Sequence, residues 1–170
     1  RPTDPDYIQL GNKQMSRRRR AVKRKITPDP RFGSIELSRF INKVMLGGKR
    51  TTAQRIVYQA IDRIEDEANR PGLEVFQHAI RNAMPQVQVK SRRVGGTTYQ
   101  VPTDIGASQQ VTLAMRWIIS SARGKSGRPM AEFLAQEFLE ASRGQGNAVK
   151  RKEDLHRMAD ANRAFAHYKW

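Results

Sequence analysis

The sequence contains no cysteine. Disulfides, thiolate zinc sites, iron–sulfur clusters and cysteine nucleophiles are excluded with it, and a reducing compartment is allowed. No apolar run approaches the roughly 18 to 20 residues a spanning helix needs, and no secretory segment follows the basic N-terminal run, so the chain reads as soluble. Acid is also scarce. Over 170 residues, 16 Asp plus Glu face 32 Lys plus Arg, giving a formal net charge of +16 with His neutral. Between Val75 and Ala131 the one acid is Asp104.

What is present follows from that imbalance. A pI of 11.0 and a mean hydropathy of -0.73 describe a strongly solvated, cationic surface around a thin core, with 38% hydrophobic residues to build it. The length fits one domain with basic appendages. So large a surplus costs self-repulsion that phosphates relieve, which points to a polyanionic partner and first to nucleic acid. The charge comes in three clusters: Arg17 to Arg20 with Lys23, Arg24 and Lys25; the Val75 to Ala131 stretch; and Lys150, Arg151 and Lys152. A membrane surface fits less well, because the first cluster has no aromatic or leucine face to insert.

Residues 1–14 hold Pro2, Pro5, Asp4, Asp6 and Gly11 without helical period and read as an extended tail. Position 1 is Arg, so this tail reads as processed, trimmed or appended ahead of a core opening near Met15. The expected division is 1–33 as tail and basic RNA-binding arm, disordered until neutralised, and 34–170 as a helical domain. Thr27 to Pro30 should be extended. Ser34 is then an N-cap for a helix carrying Leu37, Phe40, Ile41, Val44 and Met45, ended by Gly47-Gly48.

Further helices are expected from about Thr51 to Asn69, with Ala53, Ile56, Ala60, Ile64 and Ala68 on one face, and from Gly72 to Met84. Others should span Gln109 to Arg123, Met130 to Ser142, and Val149 to His167, the last with Leu155, Met158, Ala159, Asn162 and Phe165 in line. Between the third and fourth, at about 86–102, the period switches to two. Val87 and Val89 alternate with polar residues, Gly95-Gly96 turns, and Thr97, Tyr99 and Val101 alternate until Pro102 ends the run. The fold class is mainly α: a six-helix bundle with one protruding β-hairpin and a disordered basic N-terminal arm.

A lone two-stranded ribbon is marginal without support, so the hairpin's root should pack on the helices while its tip projects. Lys90, Arg92 and Arg93 on one strand, the glycine tip and the Tyr99 ring suit a probe laid along RNA.

Enzyme signals are poor. Gly48-Lys49-Arg50-Thr51 superficially resembles a phosphate loop, but position 43 is Lys and the segment joins two helices. His78, His156 and His167 have no ligand spacing, and Trp117 with Phe138 sits at core spacing rather than in a ligand box. No metal site and no cofactor are expected. A helix-turn-helix DNA regulator, motivated by short glycine turns between basic helices, is the runner-up. An RNA-modifying enzyme lacks a donor or metal constellation.

Four segments carry a resemblance: FINKVMLGGKRTTAQRIVYQA from Phe40 to Ala60, VKSRRVGGTTYQVP from Val89 to Pro102, AMRWI from Ala114 to Ile118, and VKRKEDLHRMADANRAFAHYKW from Val149 to Trp170. Together they resemble the bacterial-type small-subunit ribosomal protein seven family from about Met15 to Trp170. The resemblance implies a structural, non-catalytic protein that binds head-domain ribosomal RNA of the small subunit and nucleates head assembly. It further implies a place beside the exit site, with mRNA, exit-site tRNA and small-subunit proteins nine and eleven as neighbours, no membrane and no obligate homo-oligomer. Ribosomal RNA contacts are implied at Arg17, Arg18, Arg19, Arg20, Lys23, Arg24, Lys25, Lys49, Arg50, Arg92, Arg93 and Arg116. Exit-site contacts are implied at Lys90, Gly95, Gly96, Arg151, Tyr168 and Trp170. A bacterial cytoplasmic ribosome is the implied location, with a mitochondrial or plastid ribosome left open.

Overall fold

Three phenylalanines from three helices meet at the centre: Phe40, Phe76 and Phe138 are fully buried, with ring centroids 5.3 to 5.5 Å apart in edge and tilted contacts. Such rings each bury a large apolar surface and add directional attraction beyond area alone. The computed structural model describes residues 25–168. The basic residues Arg17, Arg18, Arg19, Arg20, Lys23 and Arg24, and Trp170, lie outside the described residues.

The element order is α1 (Ile35–Val44), α2 (Arg50–Ala68), α3 (Gly72–Ala83), β1 (Val87–Val94), β2 (Thr97–Asp104), α4 (Ala107–Arg123), α5 (Met130–Ser142) and α6 (Asn147–Ala161), followed by a 3-10 helix at Arg163–Tyr168. Helix α1 starts as its sequence dictates. Ser34 is extended, and its hydroxyl accepts the Leu37 N–H at 3.3 Å, satisfying one of the donors a helix start leaves over. Leu37, Phe40, Ile41 and Val44 then face inward.

Helix α5 is buried nearly all round, through Ala131, Phe133, Leu134, Ala135, Phe138, Leu139 and Ala141, and is therefore the central helix. Its buried Glu137 is ion-paired with Lys125 at 2.8 Å. Helices α2 and α3 meet closely because Gly72 has no side chain: a Cβ there would stand 2.6 Å from Ile61 Cγ2 and 2.7 Å from Ile61 O.

Helix ends are closed by side chains from other helices. Asn82 of α3 donates Nδ2 to the carbonyls of Ala141 and Ser142 at 2.9 Å each, and Lys152 of α6 donates to Asn82 O at 2.7 Å. These carbonyls lie at helix ends, where i+4 donors run out, and the Lys152 ammonium also suits the helix dipole.

The two strands form one antiparallel ribbon in which Val87 pairs with Asp104 and Val94 with Thr97. Gly95 and Gly96 both take positive φ, 58° and 88°, as a two-residue turn compatible with strand twist requires. The ribbon runs through Pro102 to Asp104, where an end at Pro102 is expected from sequence. Pro102 pairs with Val89; every residue of a two-stranded ribbon is on an edge, so a proline fits wherever its missing N–H would have pointed away.

The root is packed, with Val101 buried, and the tip is exposed. His156 Nε2 accepts the Gln86 N–H at 3.1 Å, tying α6 to the ribbon's entry. Tyr99, expected to offer an aromatic face, is instead engaged within the protein. Its ring packs on Phe165 and Tyr168, with centroids 5.0 and 5.2 Å away.

The expected last helix from Val149 to His167 is instead α6 plus the 3-10 helix. At the break, both the side-chain amide and the backbone N–H of Asn162 donate to Met158 O, at 2.7 and 3.2 Å. An asparagine side chain that competes for backbone partners ends a helix readily. Phe165 then lies on the ribbon and not in the bundle. Met158, expected inward, is 52% exposed, because α6 packs through Ala148, Val149 and Ala159. In α2 the buried seam likewise runs through Val57 and Ile61, while Ile56 and Ala68 are only partly covered.

Candidate nucleic-acid interface

Cationic side chains from α1, α4 and α6 line three adjoining grooves. The first, about 550 Å³, holds Lys25 beside Arg39 and Lys43 of α1 and Ser108 and Thr112 of α4. Lys43 also lines the second, about 410 Å³, with Arg116, Ser120, Arg123 and Gly124. Ser120 and Gly124 continue into the third, about 360 Å³, with Lys125, Lys150 and Arg151. Among the described residues lining these grooves the one acid is Asp154.

The spacing on the helices explains the alignment. Arg39 and Lys43 are four apart, and Arg116, Ser120 and Arg123 are four and seven apart, so each set shares one helix face. Lys43 is held below the ordinary lysine range, first by burial and then by the Arg116 charge. Its charged form is penalised in the free protein, and an incoming phosphate offsets the penalty. Arg123 spans the second groove and donates Nη2 to Val44 O at 3.1 Å. Arg151 donates Nη1 to Ser120 Oγ at 3.2 Å across to α4.

The structure therefore joins Lys25, Arg116 and Arg151 into one basic face. Lys49 and Arg50 are exposed in the α1–α2 turn, where Arg50 reaches Ser38 Oγ at 3.5 Å. Lys90, Arg92, Arg93, Gly95 and Gly96 lie exposed on the ribbon, and Tyr168 is half-buried against Tyr99. Arg39, Lys43, Arg123, Lys125 and Lys150 line the grooves yet are absent from the site residues that the resemblance implies. The signal for Arg39 and Lys43 was their four-residue spacing and for Arg123 its seven-residue spacing from Arg116, while Lys125 and Lys150 fall within the basic clusters of the sequence. A separate groove between α2 and α5 carries Asp62, Asp66 and Glu132 together with Arg63, which pairs with Glu132 at 3.0 Å.

No helix among the described residues is long and apolar enough to cross a membrane. A cationic face on a helical body, with a protruding basic ribbon, has the charge distribution of a nucleic-acid-binding protein. Comparison with known proteins makes this specific. The family model described as Ribosomal protein S7p/S5e matches residues 16–163, and the chain belongs to that family. Similar proteins include small ribosomal subunit protein uS7 of Dehalococcoides mccartyi (strain CBDB1), 56% identical over 156 residues that span 92% of this chain and 100% of that relative. The proteins of that name from Gemmatimonas aurantiaca and Rhodopseudomonas palustris (strain BisB5) are 55% and 51% identical with the same coverage.

The chain is thus a structural, non-enzymatic ribosomal protein of the small subunit, acting in translation and associated with ribosomal RNA. That membership displaces the DNA-regulator and RNA-modifying readings.

Proposed function

We propose that the chain anchors head-domain ribosomal RNA of the small subunit and nucleates head assembly. The observation that carries this reading is the unbroken run of basic grooves from Lys25 through Lys43 and Arg116 to Arg151. Phosphates seated there supply affinity through counterion release, and the rigid asymmetric face selects a folded RNA by shape. The basic residues Arg17, Arg18, Arg19, Arg20, Lys23, Arg24 and Lys25 add their charge to that of the face in gripping rRNA. Lys49, Arg50, Arg92 and Arg93 contribute from its margins.

The ribbon, through Lys90, Gly95 and Gly96, reaches mRNA and the departing tRNA at the exit site, with Arg151, Tyr168 and Trp170 nearby in the assembled particle. Small-subunit proteins nine and eleven are its protein neighbours. The bacterial relatives favour a cytoplasmic bacterial ribosome over an organellar one.

The test is filter binding of labelled head-domain rRNA against duplex DNA at matched phosphate. Replacing Arg39, Lys43 and Arg116 together with Ser should weaken rRNA binding and lower the logarithmic salt slope by about 0.7 to 0.9 for each phosphate that is no longer neutralised. An unchanged slope refutes the groove assignment. Shortening the ribbon between Lys90 and Thr98 should leave rRNA affinity largely intact, less the marginal share of Arg92 and Arg93, while weakening exit-site tRNA. Loss of head assembly in that variant reclassifies the ribbon as an anchor.

A further inference from the structure

The segment entering α1 is fastened with unusual density. Asp29 is 2% exposed. Its Oδ1 accepts the Tyr58 hydroxyl at 2.8 Å, its Oδ2 accepts the N–H groups of Arg31 and Phe32 at 3.2 Å, and its carbonyl accepts the Gly33 N–H at 2.8 Å. Gln54 donates to Tyr58 Oη at 2.7 Å, which leaves the phenolic proton for Asp29. Arg31 lies 4.9 Å from the Phe32 ring and 5.4 Å from the Tyr58 ring, and its guanidinium makes a two-pronged pair with Asp62 at 2.7 and 3.0 Å.

None of these side chains lines the basic grooves. Yet the chain four residues upstream does: Lys25 and Ile26 border the first groove, next to Arg39 and Lys43. Everything N-terminal to Lys25, including the run of basic residues, is tethered at this point.

We propose that Asp29 and Tyr58 form a latch whose role is positioning: it fixes where the basic arm leaves the body, so that the arm starts in the α1–α4 groove. The proposal rests on the reading that the arm grips rRNA. Its physical content is effective concentration. A tether anchored beside the groove presents its charges to phosphates already held there, whereas a tether released back to Ser34 samples a larger volume. Burial pushes the Tyr58 phenol above its ordinary range, consistent with the hydroxyl donating to Asp29.

The absence of cysteine allows two labels to be placed at will. In full-length protein carrying Lys25→Cys and Ser108→Cys with nitroxide labels, the interspin distance distribution should be narrow, and Tyr58→Phe should broaden it. An unchanged distribution overturns the latch. The second measurement is a cycle of rRNA affinities with Tyr58→Phe in two full-length backgrounds, the native arm and an arm with all seven basic residues replaced by Ser. Tyr58→Phe should cost about fivefold with the native arm and nothing with the neutral arm. Equal losses in both backgrounds, or none in either, overturn the proposal, and Arg31→Met should reproduce the pattern if the phenylalanine variant unfolds. Failure of the wild-type chain to prefer head rRNA overturns the functional reading instead, while the distance measurement still decides the latch.

Discussion

Arg123 of α4 donates Nη2 to Val44 O, 3.1 Å away, at the C-terminus of α1. One guanidinium thereby closes a helix end, bridges two helices and forms the wall of the second basic groove. Arg123→Ala removes a charged hydrogen bond to an orphan carbonyl and a favourable charge at the dipole's negative end, so it should destabilise by about 1 to 2 kcal/mol. For a chain of this size that is a fall in Tm of roughly 3 to 6 °C. Calorimetry checks it, and Arg116→Ala, which lacks the helix-capping contact, should lower rRNA affinity without a comparable drop in Tm.

Gly72→Ala should be the costliest single-methyl insertion in the bundle. The new Cβ would meet both a side-chain and a main-chain atom of Ile61 within 2.7 Å, and main chain cannot step aside without moving α3 against α2. Overpacking of that kind costs about 1 to 3 kcal/mol. Gly124, whose nearest contact is 3.5 Å, is the control: Gly124→Ala should be near neutral in denaturant unfolding.

How legible this was in the sequence differs by element. Ser34, the inward residues of α1 and the Gly95-Gly96 turn could be read directly, because one residue type and one period each allow a single local geometry. The Asn162 break could not. Leu155, Met158, Asn162 and Phe165 keep helical spacing, and the chain leaves the helix where Asn162 takes Met158 O and Tyr99 holds Phe165 and Tyr168. The basic face was half legible. Charge counts located Arg116 and Arg151, but Lys43 joins them through the packing of α1 on α4, which no local pattern encodes. Asp29 was hidden for the same reason, since its partner Tyr58 lies on another helix.

The depressed Lys43 gives the interface a pH signature. In the free protein Lys43 sheds its proton before an ordinary lysine does, through burial and the nearby Arg116. The unfolded chain then holds more protons than the folded one, so between that lowered value and the usual lysine range stability rises with pH. RNA binding reverses the balance, because phosphates favour the ammonium. Affinity should therefore fall as pH climbs into that window, with net proton uptake on binding in calorimetry across buffers. Lys43→Arg, which keeps its charge, should abolish the uptake; a persistent uptake places the titrating group elsewhere.

Tyr99 holds the 3-10 helix against the ribbon, so Tyr99→Ala should free Phe165 and Tyr168 while leaving the bundle intact. Aromatic contacts of this kind contribute about 0.5 to 1.5 kcal/mol each beyond buried area. Hydrogen exchange should accelerate at Arg163–Tyr168 and across β2 above Val101, with the amides of α5 unchanged. Faster exchange in α5 as well contradicts a local role.

The pair between Lys125 and Glu137 predicts an asymmetry. Glu137 is fully buried on α5, whereas the Lys125 side chain keeps 25% exposure. Lys125→Met strands a carboxylate inside the bundle and should cost about 3 kcal/mol or more. Glu137→Gln leaves an ammonium that can turn outward to water, so its cost should be about 1 kcal/mol. Replacing both, Lys125→Met with Glu137→Leu, removes the desolvation of two charges together. That variant should be more stable than Lys125→Met alone, and urea unfolding of the four proteins at pH 7 measures the coupling. If the double variant is no better than the lysine variant, Glu137 is held by something other than its charge, and the ion pair does not account for a carboxylate in the central helix.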